Sequence, residues 1–393
     1  MLYNVLKKLN FDGTLEIIDS KNKLYTFGNS NPLVTIRLTN KSIERKLFLN
    51  PGLHLGEAYM NEELIIEKGT IEEFISLISN SYDDFVSNNK IYKFYEYLSS
   101  VFMPFQQINQ LVNSKKNVAH HYDIDENLYK LFLDKDMQYS CAYFHNPNIG
   151  LDQAQKDKKE HIIKKLSINE NMNVLDIGCG WGSLSRHFNS EYGCNVKGIS
   201  LSEEQISYCL KKQKSSKNSK DLEYSLQDYR NETNHYDKIV SVGMFEHVGK
   251  PFYNTYFKKI NNLLSDDGIA VIHTIGNVRT PKLTPAFIRK YIFPGGYIPS
   301  LSEIMPAVEK SGLIISDIEV LRLHYADTLR NWYKNFQKSE KQVLDLYDER
   351  FIRMWESYLN LSEISFRKGD NVVYQLVLTK KRDTFPIVRK RIN

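Results

Sequence analysis

The segment VLDIGCGWGSL at residues 174–184 constrains the fold more than any other part of the chain. An apolar run typical of a buried strand contains Asp176, and glycines then follow at every second position, Gly178, Gly180 and Gly182. Glycine is favoured where a turn takes a positive φ or where the backbone approaches a ligand closely. In a doubly wound α/β sheet, the turn after the first strand lies at the ligand crevice. The segment therefore predicts a strand–turn–helix unit that contacts a ligand through its backbone.

Short apolar runs alternate with helical patterns from about residue 118 onward, which indicates βαβ units and a parallel sheet. We predict an α/β fold with a doubly wound, Rossmann-like sheet of seven strands, a helical lid insert and a small N-terminal α/β domain. Apolar residues at helical spacing within 329–336 and 351–358 predict helices in the insert. The predicted strands of the large sheet lie at 173–178, 195–200, 222–227, 237–243, 268–275, 313–321 and 372–379.

The N-terminal part predicts a separate domain, with alternating strands in 15–29 and 33–40 and helices in 50–80 and 91–112. The last of these helices is apolar enough to dock against another surface or to face a membrane. The predicted organisation is an N-terminal domain at 1–112, a linker at 113–117, a catalytic domain at 118–379 with its lid insert at about 276–365, and a basic tail at 380–393.

Composition restricts the class of protein. The 393 residues carry a net charge of +5, and no apolar run approaches the roughly 18 residues of a membrane span. The four cysteines follow neither a disulfide nor a zinc pattern, which favours a reducing cytosol and no metal site. The basic tail could lie against anionic lipid or nucleic acid, or it could be a solvated terminus, and by itself it does not decide between them. We expect a cytoplasmic protein that acts at an anionic membrane surface, with no nucleic-acid partner.

The glycine turn by itself allows a dinucleotide or another adenosine ligand. Ser183 stands where the dinucleotide fingerprint requires its third glycine. The acidic residue expected about 20 positions later is also absent, since Ser200 and Ser202 occur there. The D-x-G-x-G-x-G pattern resembles motif I of S-adenosylmethionine-dependent methyltransferases.

Four further stretches narrow this resemblance. They are VAHHYDIDENLYKLFLDKDMQYSCAYF (118–144), GISLSEEQ (198–205), VGMFEHVG (242–249) and YIFPGGYIPS (291–300). Together with the glycine turn they resemble the cyclopropane-fatty-acyl-phospholipid synthase family, which includes the mycolic acid cyclopropane synthases, over about 118–379. The N-terminal domain resembles that of the longer, phospholipid-acting bacterial members.

The resemblance implies a set of partners. They are S-adenosylmethionine and bicarbonate as cofactors, membrane phospholipids with unsaturated acyl chains as substrate, and a second copy of the chain in a homodimer. It also implies a peripheral location on the inner face of the membrane. Some family members carry a cysteine where this chain has Ser362.

The resemblance also implies roles for individual residues. Those implied to bind the cofactor are Tyr139, Ser140, Asp176, Gly178, Gly180, Gly182, Ser200, Gln205, Asp228 and Tyr229. Those implied to hold bicarbonate as the catalytic cluster are Cys141, Glu246, His273, Ile275 through its backbone, and Tyr325.

The chemistry places demands on this cluster. Methyl transfer to a double bond would leave a carbocation, and a base must remove a proton before a ring can close. Glu246 can orient a bicarbonate ion only if the two share a proton, because adjacent anions repel. His273 is therefore expected to donate a hydrogen bond to the ion rather than to act as the base.

Two other functions compete with cyclopropane synthesis. A related methyltransferase would make a methyl-branched lipid or methylate a small amine. An amine enzyme would not need a lipid-facing domain, and a branch-forming enzyme would need a reductant. A lipid-binding protein without catalysis would be expected to have lost the glycine turn or the bicarbonate cluster, and both are intact in the sequence.

Overall fold

The computed structural model describes residues 1–92, 125–215, 221–281 and 283–388. Apart from its first two residues, the helix predicted at 91–112 lies outside the described residues, as does the linker predicted at 113–117. The described chain forms two compact units. One contains the described residues within 1–105, 282–294 and 329–369, and the other contains those within 106–281, 295–328 and 370–393. The domain boundaries drawn from the sequence stay predictions.

The first unit contains a four-stranded sheet with the order β2-β1-β3-β4, in which β1 and β3 are parallel. Its strands are β1 (Thr14–Ile18), β2 (Leu24–Gly28), β3 (Leu33–Leu38) and β4 (Leu64–Lys68). Its N-terminal helices are α1 (Leu2–Leu6), α2 (Lys41–Leu49), α3 (Pro51–Met60), α4 (Ile71–Asn80) and α5 (Tyr82–Asn88). The small N-terminal α/β domain predicted from the sequence is therefore present as an α/β sheet structure.

Strand β4 corrects the sequence prediction, which assigned 50–80 to helix throughout. Glu62 takes a φ of 58° and Gly69 a φ of 88°, so the backbone leaves the helical region on both sides of the strand. Between them, Leu64 and Ile66 pair with β3. Pairing with β3 outweighed the local helical pattern, and helix α4 begins only after the capping box of Thr70.

The second unit contains a seven-stranded sheet with the order β10-β11-β9-β8-β5-β6-β7. Strands β5 to β9 run parallel to one another, and β11 is antiparallel to both β9 and β10. The strands are β5 (Asn173–Ile177), β6 (Asn195–Ser200), β7 (Leu222–Leu226), β8 (Tyr236–Val242), β9 (Leu264–Asn277), β10 (Ile314–Leu321) and β11 (Asn371–Thr379). The predicted sheet and its seven strands are confirmed.

Helices precede and connect the strands of this sheet, and the first two of them come before β5. They are α6 (Glu126–Phe132), α7 (Leu151–Leu166), α8 (Ser183–Tyr192), α9 (Glu203–Ser215), α10 (Tyr253–Leu263) and α11 (Leu301–Ser311). The apolar sides of α7, α8 and α9 bury a core against the sheet, and this core includes the fully buried Phe188. Because chain order departs in opposite directions from β5, a crevice opens where β5 and β8 meet at their carboxyl ends.

The helical insert predicted from the sequence is present as α12 (His324–Lys338), α13 (Glu340–Leu344) and α14 (Glu349–Arg367). The apolar stripe of α12 is buried, with Trp332 fully enclosed, and Trp355 is fully enclosed on α14. Residues 329–369 belong to the same compact unit as the N-terminal sheet. The lid function of these helices stays a prediction. None of the helices in the described ranges is long and apolar enough to cross a bilayer.

The core position of Phe188 generates a stability prediction. Phe188→Ala should lower the free energy of unfolding by about 3–5 kcal/mol, because it removes a fully buried ring and leaves a cavity. Leu210→Ala on the exposed side of α9 is the control, since that leucine is 40% exposed, and its effect should stay within about 0.5 kcal/mol. Chemical denaturation measures both. Equal losses in the two variants would contradict this assignment of the core.

Candidate active site

The three glycines of the turn after β5 do not all meet the same requirement. Gly178, Gly180 and Gly182 all take positive φ, at 79°, 54° and 73°. A Cβ on Gly182 would lie 2.6 Å from the Tyr224 hydroxyl, and one on Gly178 would lie 2.8 Å from the Met244 side chain. A Cβ on Gly180 would meet nothing within 4 Å. Packing therefore excludes a side chain at the outer two positions, while Gly180 faces open space.

That open space is a cavity at the carboxyl ends of β5, β6, β7 and β8. Nine of the residues implied to bind the cofactor lie together on the wall of this cavity. The remaining one, Gly182, packs against protein atoms instead. The nine are Tyr139, Ser140, Asp176, Gly178, Gly180, Ser200, Gln205, Asp228 and Tyr229. Their roles as ligands stay predictions, but their proximity is a feature of the fold.

Hydrogen bonds hold the polar groups of the wall in fixed orientations. The Ser200 hydroxyl donates to Gln205 Oε1 at 2.9 Å, just beyond β6. Beyond β7, the Arg230 guanidinium donates to Asp228 Oδ1 at 2.9 Å. Burial raises the pKa of Tyr229 to about 12, so its hydroxyl keeps its proton at neutral pH. Beyond β6 and β7 the wall therefore offers uncharged hydroxyl groups and a carboxylate that is already paired with Arg230.

Two buried ionisable groups lie at the centre of the wall. Burial raises the pKa of Asp176 to about 6, although Ser185 donates to its Oδ2 at 2.6 Å. Burial lowers the pKa of Lys158 to about 8, and its Nζ donates to Ser140 Oγ at 2.8 Å. Each group can change its charge closer to neutral pH than it could in water.

Sequence reasoning missed Lys158. It lies on α7, whose lysines give the helix the composition of a solvated surface element. In the structure several of them are buried, and Lys158 is only 2% exposed. The available signal was the spacing of Lys158, His161 and Lys165, which places them along one side of a helix. His247 also lines the cavity, and burial lowers its pKa to about 4, so it is a neutral imidazole.

The predicted catalytic cluster is partly assembled by direct contact. Glu246 lies in a short 3-10 turn, Phe245–His247, just after β8. Its Oε1 accepts a hydrogen bond from the Ile275 backbone N–H at 2.6 Å. Its Oε2 is buried and accepts no hydrogen bond within the part of the chain that the structure describes. Burial raises the pKa of Glu246 to about 7, because the cost of desolvating its charge outweighs the opposing effect of the hydrogen bond from the Ile275 N–H.

Cys141, His273 and Tyr325 are buried in the same unit. The Cys141 thiol donates to the Ala142 carbonyl at 3.3 Å, and burial raises the pKa of this thiol well above its ordinary value. His273 Nδ1 lies 3.0 Å from the amide nitrogen of Gln375. Burial and the nearby positive charges of Lys158 and Lys165 lower the pKa of His273 well below its ordinary range, so its ring is neutral. Their joint action on an ion stays a prediction.

Comparison with known families covers both parts of the chain. The family model described as mycolic acid cyclopropane synthetase matches residues 109–376. A second model, described only as a domain of unknown function, matches residues 2–90.

Individual relatives agree with the first match. The chain is 39% identical over 260 residues to the cyclopropane-fatty-acyl-phospholipid synthase of Escherichia coli strain K12, a stretch that covers 66% of this chain and 66% of that relative. Among solved structures, the cyclopropane synthase MmaA2 from Mycobacterium tuberculosis aligns with a TM-score of 0.65 at 30% identity, covering 67% of this chain and 97% of that one. Mycolic acid cyclopropane synthase CmaA1 complexed with SAH and CTAB aligns with a TM-score of 0.64 at 31% identity, covering 67% and 97% of the two chains.

The glycine turn generates the first site prediction. Gly180→Ala should cost about 1–2 kcal/mol of stability through its positive φ and weaken S-adenosylmethionine binding, because the new methyl group enters the cavity. Gly182→Ala should destabilise the fold more, because its Cβ would overlap Tyr224 and Cys209. Isothermal titration calorimetry and thermal melts separate the two effects. A Gly180→Ala variant that binds the cofactor like wild type would contradict the assignment.

The buried carboxyl of Glu246 generates a pH prediction. Its pKa is about 7 in the folded chain and about 4.3 in an unfolded one. At a pH between these two values, the carboxyl is therefore protonated in the folded state and ionised in the unfolded state. Its contribution to stability is therefore lost as the pH rises through this window. The free energy of unfolding of Glu246→Gln, measured relative to that of wild type, should therefore rise by about 2 kcal/mol from pH 5 to pH 8.

Urea denaturation across this pH range measures the gain. The matched control is Glu309→Gln on α11, an exposed carboxylate screened by solvent. A constant difference between Glu246→Gln and wild type from pH 5 to pH 8 would show that the carboxyl is not desolvated.

Proposed function

The chain belongs to the mycolic acid cyclopropane synthetase family of S-adenosylmethionine-dependent methyltransferases, and from that premise we propose that it converts the cis double bonds of unsaturated phospholipid acyl chains into cyclopropane rings. The observation that carries the proposal is the Glu246 carboxyl. One of its oxygens is bound to a backbone N–H and the other is buried with no hydrogen bond in the described part of the chain. Such an oxygen is suited to a small polar ion or molecule that completes the site.

The cavity fits S-adenosylmethionine. Gly180 leaves its backbone open to a ligand, and the hydroxyl, amide and carboxylate groups of the wall match the polar groups of a nucleoside. We assign the residues of the wall to holding it, with Ser200 and Gln205 near the ribose, and Asp228 and Tyr229 on either side of the adenine. When bound, the cofactor supplies a methyl group made electrophilic by its sulfonium.

The reaction needs a base that works in a buried place. Transfer of the methyl group to a double bond leaves a positive charge on the acyl chain. Loss of one proton from that methyl group then lets the three-membered ring close. A carboxylate next to the base would oppose a second anion, unless the two share a proton.

We propose that bicarbonate is this base and that Glu246 orients it. A pKa of about 7 lets the Glu246 carboxyl carry the shared proton under ordinary conditions. The buried Oε2 is the position from which it would reach the ion. His273, Tyr325, Cys141 and the backbone of Ile275 are the proposed remaining partners. Their burial keeps bulk water away from the carbocation.

We propose that the chain acts at the surface of an anionic membrane. The name of the Escherichia coli relative specifies a phospholipid substrate. In the described start of the basic tail, Lys381 pairs with Asp267 at 2.9 Å, which ties this part of the tail to the catalytic unit. Ile387 and Val388 beyond it are exposed, a combination of apolar and cationic groups that suits a lipid interface.

The test of the proposed function is direct product analysis. The purified protein is incubated with S-adenosylmethionine, bicarbonate and vesicles of monounsaturated phospholipid, neutral or anionic, and the released acyl chains are analysed by mass spectrometry and proton NMR. We expect chains heavier by one CH₂ that show cyclopropane protons, formed faster on anionic vesicles. Glu246→Gln should lower kcat by roughly 100-fold or more, because removal of a group that positions a general base has effects of this size.

Glu309→Gln is again the control and should keep wild-type activity. Removal of bicarbonate by degassing should slow wild type, and added bicarbonate should restore it. Chains that gain a methyl branch without ring protons would move the assignment to a branch-forming methyltransferase. Unchanged lipid together with a methylated small amine would move it to an amine methyltransferase.

A further inference from the structure

Three polar residues form a row across the sheet beneath the proposed bicarbonate site. Glu319 on β10 lies directly opposite Gln375 on β11, and Gln375 lies directly opposite His273 on β9. Residues paired in this way point to the same face of a sheet, with Cβ atoms about 5 Å apart. Gln375 is fully buried and His273 is 2% exposed. The row therefore connects the buried histidine to the edge of the sheet through a single amide side chain.

Helix α7 covers this row with two groups one turn apart, His161 and Lys165. The Lys165 ammonium lies 2.6 Å from Gln375 Oε1 and 2.5 Å from a carboxylate oxygen of Glu319. His161 Nε2 lies 2.5 Å from the same oxygen of Glu319. Burial of Glu319 raises its pKa, but the hydrogen bond from His161 and the charge of Lys165 outweigh this and lower it to about 2. Glu319 is therefore an anion that holds Lys165 as a cation.

The direction of each hydrogen bond in the row follows from Lys165. An ammonium group only donates, so the atom of Gln375 that faces it must be the carbonyl oxygen. The other end of the amide is then the NH₂ group, which only donates. This group lies 3.0 Å from His273 Nδ1, which must accept and so carries no proton. In a neutral imidazole the single proton is then on Nε2.

We infer that Lys165 and Gln375 are positioning residues that hold His273 in the neutral tautomer with its proton on Nε2, so that His273 donates a hydrogen bond to the reaction site and does not accept a proton there. This inference rests on the proposed function only for the identity of what His273 contacts. The tautomer itself follows from the hydrogen bonds within the protein.

The charges around His273 are consistent with a neutral ring. From α7 it is faced by Lys158, His161 and Lys165, and from β10 by Glu319. Burial is the largest effect that lowers its pKa, and the lysines lower it further, while Glu319 alone opposes them. A second proton would have to bind at Nδ1, where the Gln375 amide already donates. Both the electrostatics and the geometry therefore exclude His273 as the proton acceptor of the reaction.

The consequence for the reaction concerns the fate of the proton. If His273 accepts no proton, the base must be the ion or group to which His273 donates. The donated hydrogen bond orients that group and stabilises its negative charge. The histidine then has the role of an oxyanion donor, which depends on its tautomer rather than on its basicity.

The inference is tested by NMR on the protein without substrate. The chain is labelled with ¹⁵N in its ten histidine rings, and the signals of His273 are identified by their absence in His273→Gln. The nitrogen shifts distinguish a protonated ring nitrogen from an unprotonated one. We expect Nδ1 unprotonated and Nε2 protonated from pH 5 to pH 9. A His273 ring with its proton on Nδ1, or one that titrates within this range, would overturn the inference.

Gln375→Glu replaces the amide NH₂ that donates to His273 with a carboxylate oxygen that accepts, while the side chain keeps almost the same shape. Its carboxylate would accept from Lys165 and from His273, so the proton of His273 should move to Nδ1. With the wrong tautomer, kcat should fall roughly 10- to 100-fold while the KM for S-adenosylmethionine stays unchanged. Gln213→Glu on α9 is the matched control, because Gln213 donates to the Leu222 carbonyl and is not part of this row. It should change neither the tautomer of His273 nor kcat.

Lys165→Met is the second variant, used whether or not Gln375→Glu folds. It leaves Gln375 in place but removes the charge that orients its amide, so His273 should show both tautomers. A single unchanged tautomer in either variant would overturn the inference. Cyclopropane product from a protein whose His273 is protonated on Nδ1 would overturn the inference and leave the proposed function intact. The expected tautomer in a protein that makes no such product would overturn the proposed function alone.

Discussion

The departure of the chain from β5 in two opposite directions is the constraint on which the candidate site depends. Strands β6 and β7 lie on one side of β5, and β8 and β9 lie on the other. The connections after β5 and β8 therefore diverge and leave a crevice at the carboxyl ends of these strands. The glycine turn lines this crevice, and the turn after β8 brings Glu246 to the backbone of β9. Without this strand order, residues about 70 positions apart along the chain would not share one site.

The second compact unit also buries several ionisable groups. Asp176, Lys158 and Glu246 all have pKa values moved toward neutrality because they are desolvated. Uncompensated burial of this kind costs stability, and it is typical of sites that handle protons or ions. Glu319 shows the opposite case, since this half-buried carboxylate pairs with the buried Lys165 and keeps its charge. The unit thus combines groups that can change charge at the site with a fixed ion pair that orients a neighbour.

Much of the fold was predictable from local pattern. Each strand of the large sheet is a short apolar run bounded by turn residues, and each appears within a few residues of its predicted position. The glycine turn was predictable because the backbone requirement of its glycines can be read from the sequence, whereas the other residues of the cavity wall were assigned by family resemblance. Strand β4 was missed because Leu64 and Ile66 gain their strand conformation from pairing with β3, a partner about 28 positions away. Lys158 was missed because a single lysine on a helix gives no sign of burial, and only its spacing with His161 and Lys165 pointed to a shared side of the helix.

The sequence by itself determined the class of fold, the position of the glycine turn and the types of chemical group available to the site, because these depend on periodicity and on the conformational needs of single residues. Only the tertiary structure decided how those groups behave. The raised pKa of Glu246, the direction of the amide of Gln375 and the neutral state of His273 all depend on neighbours that are distant in sequence. The physical reason is that desolvation and hydrogen-bond direction are properties of a surrounding volume, and that volume exists only after the chain has folded.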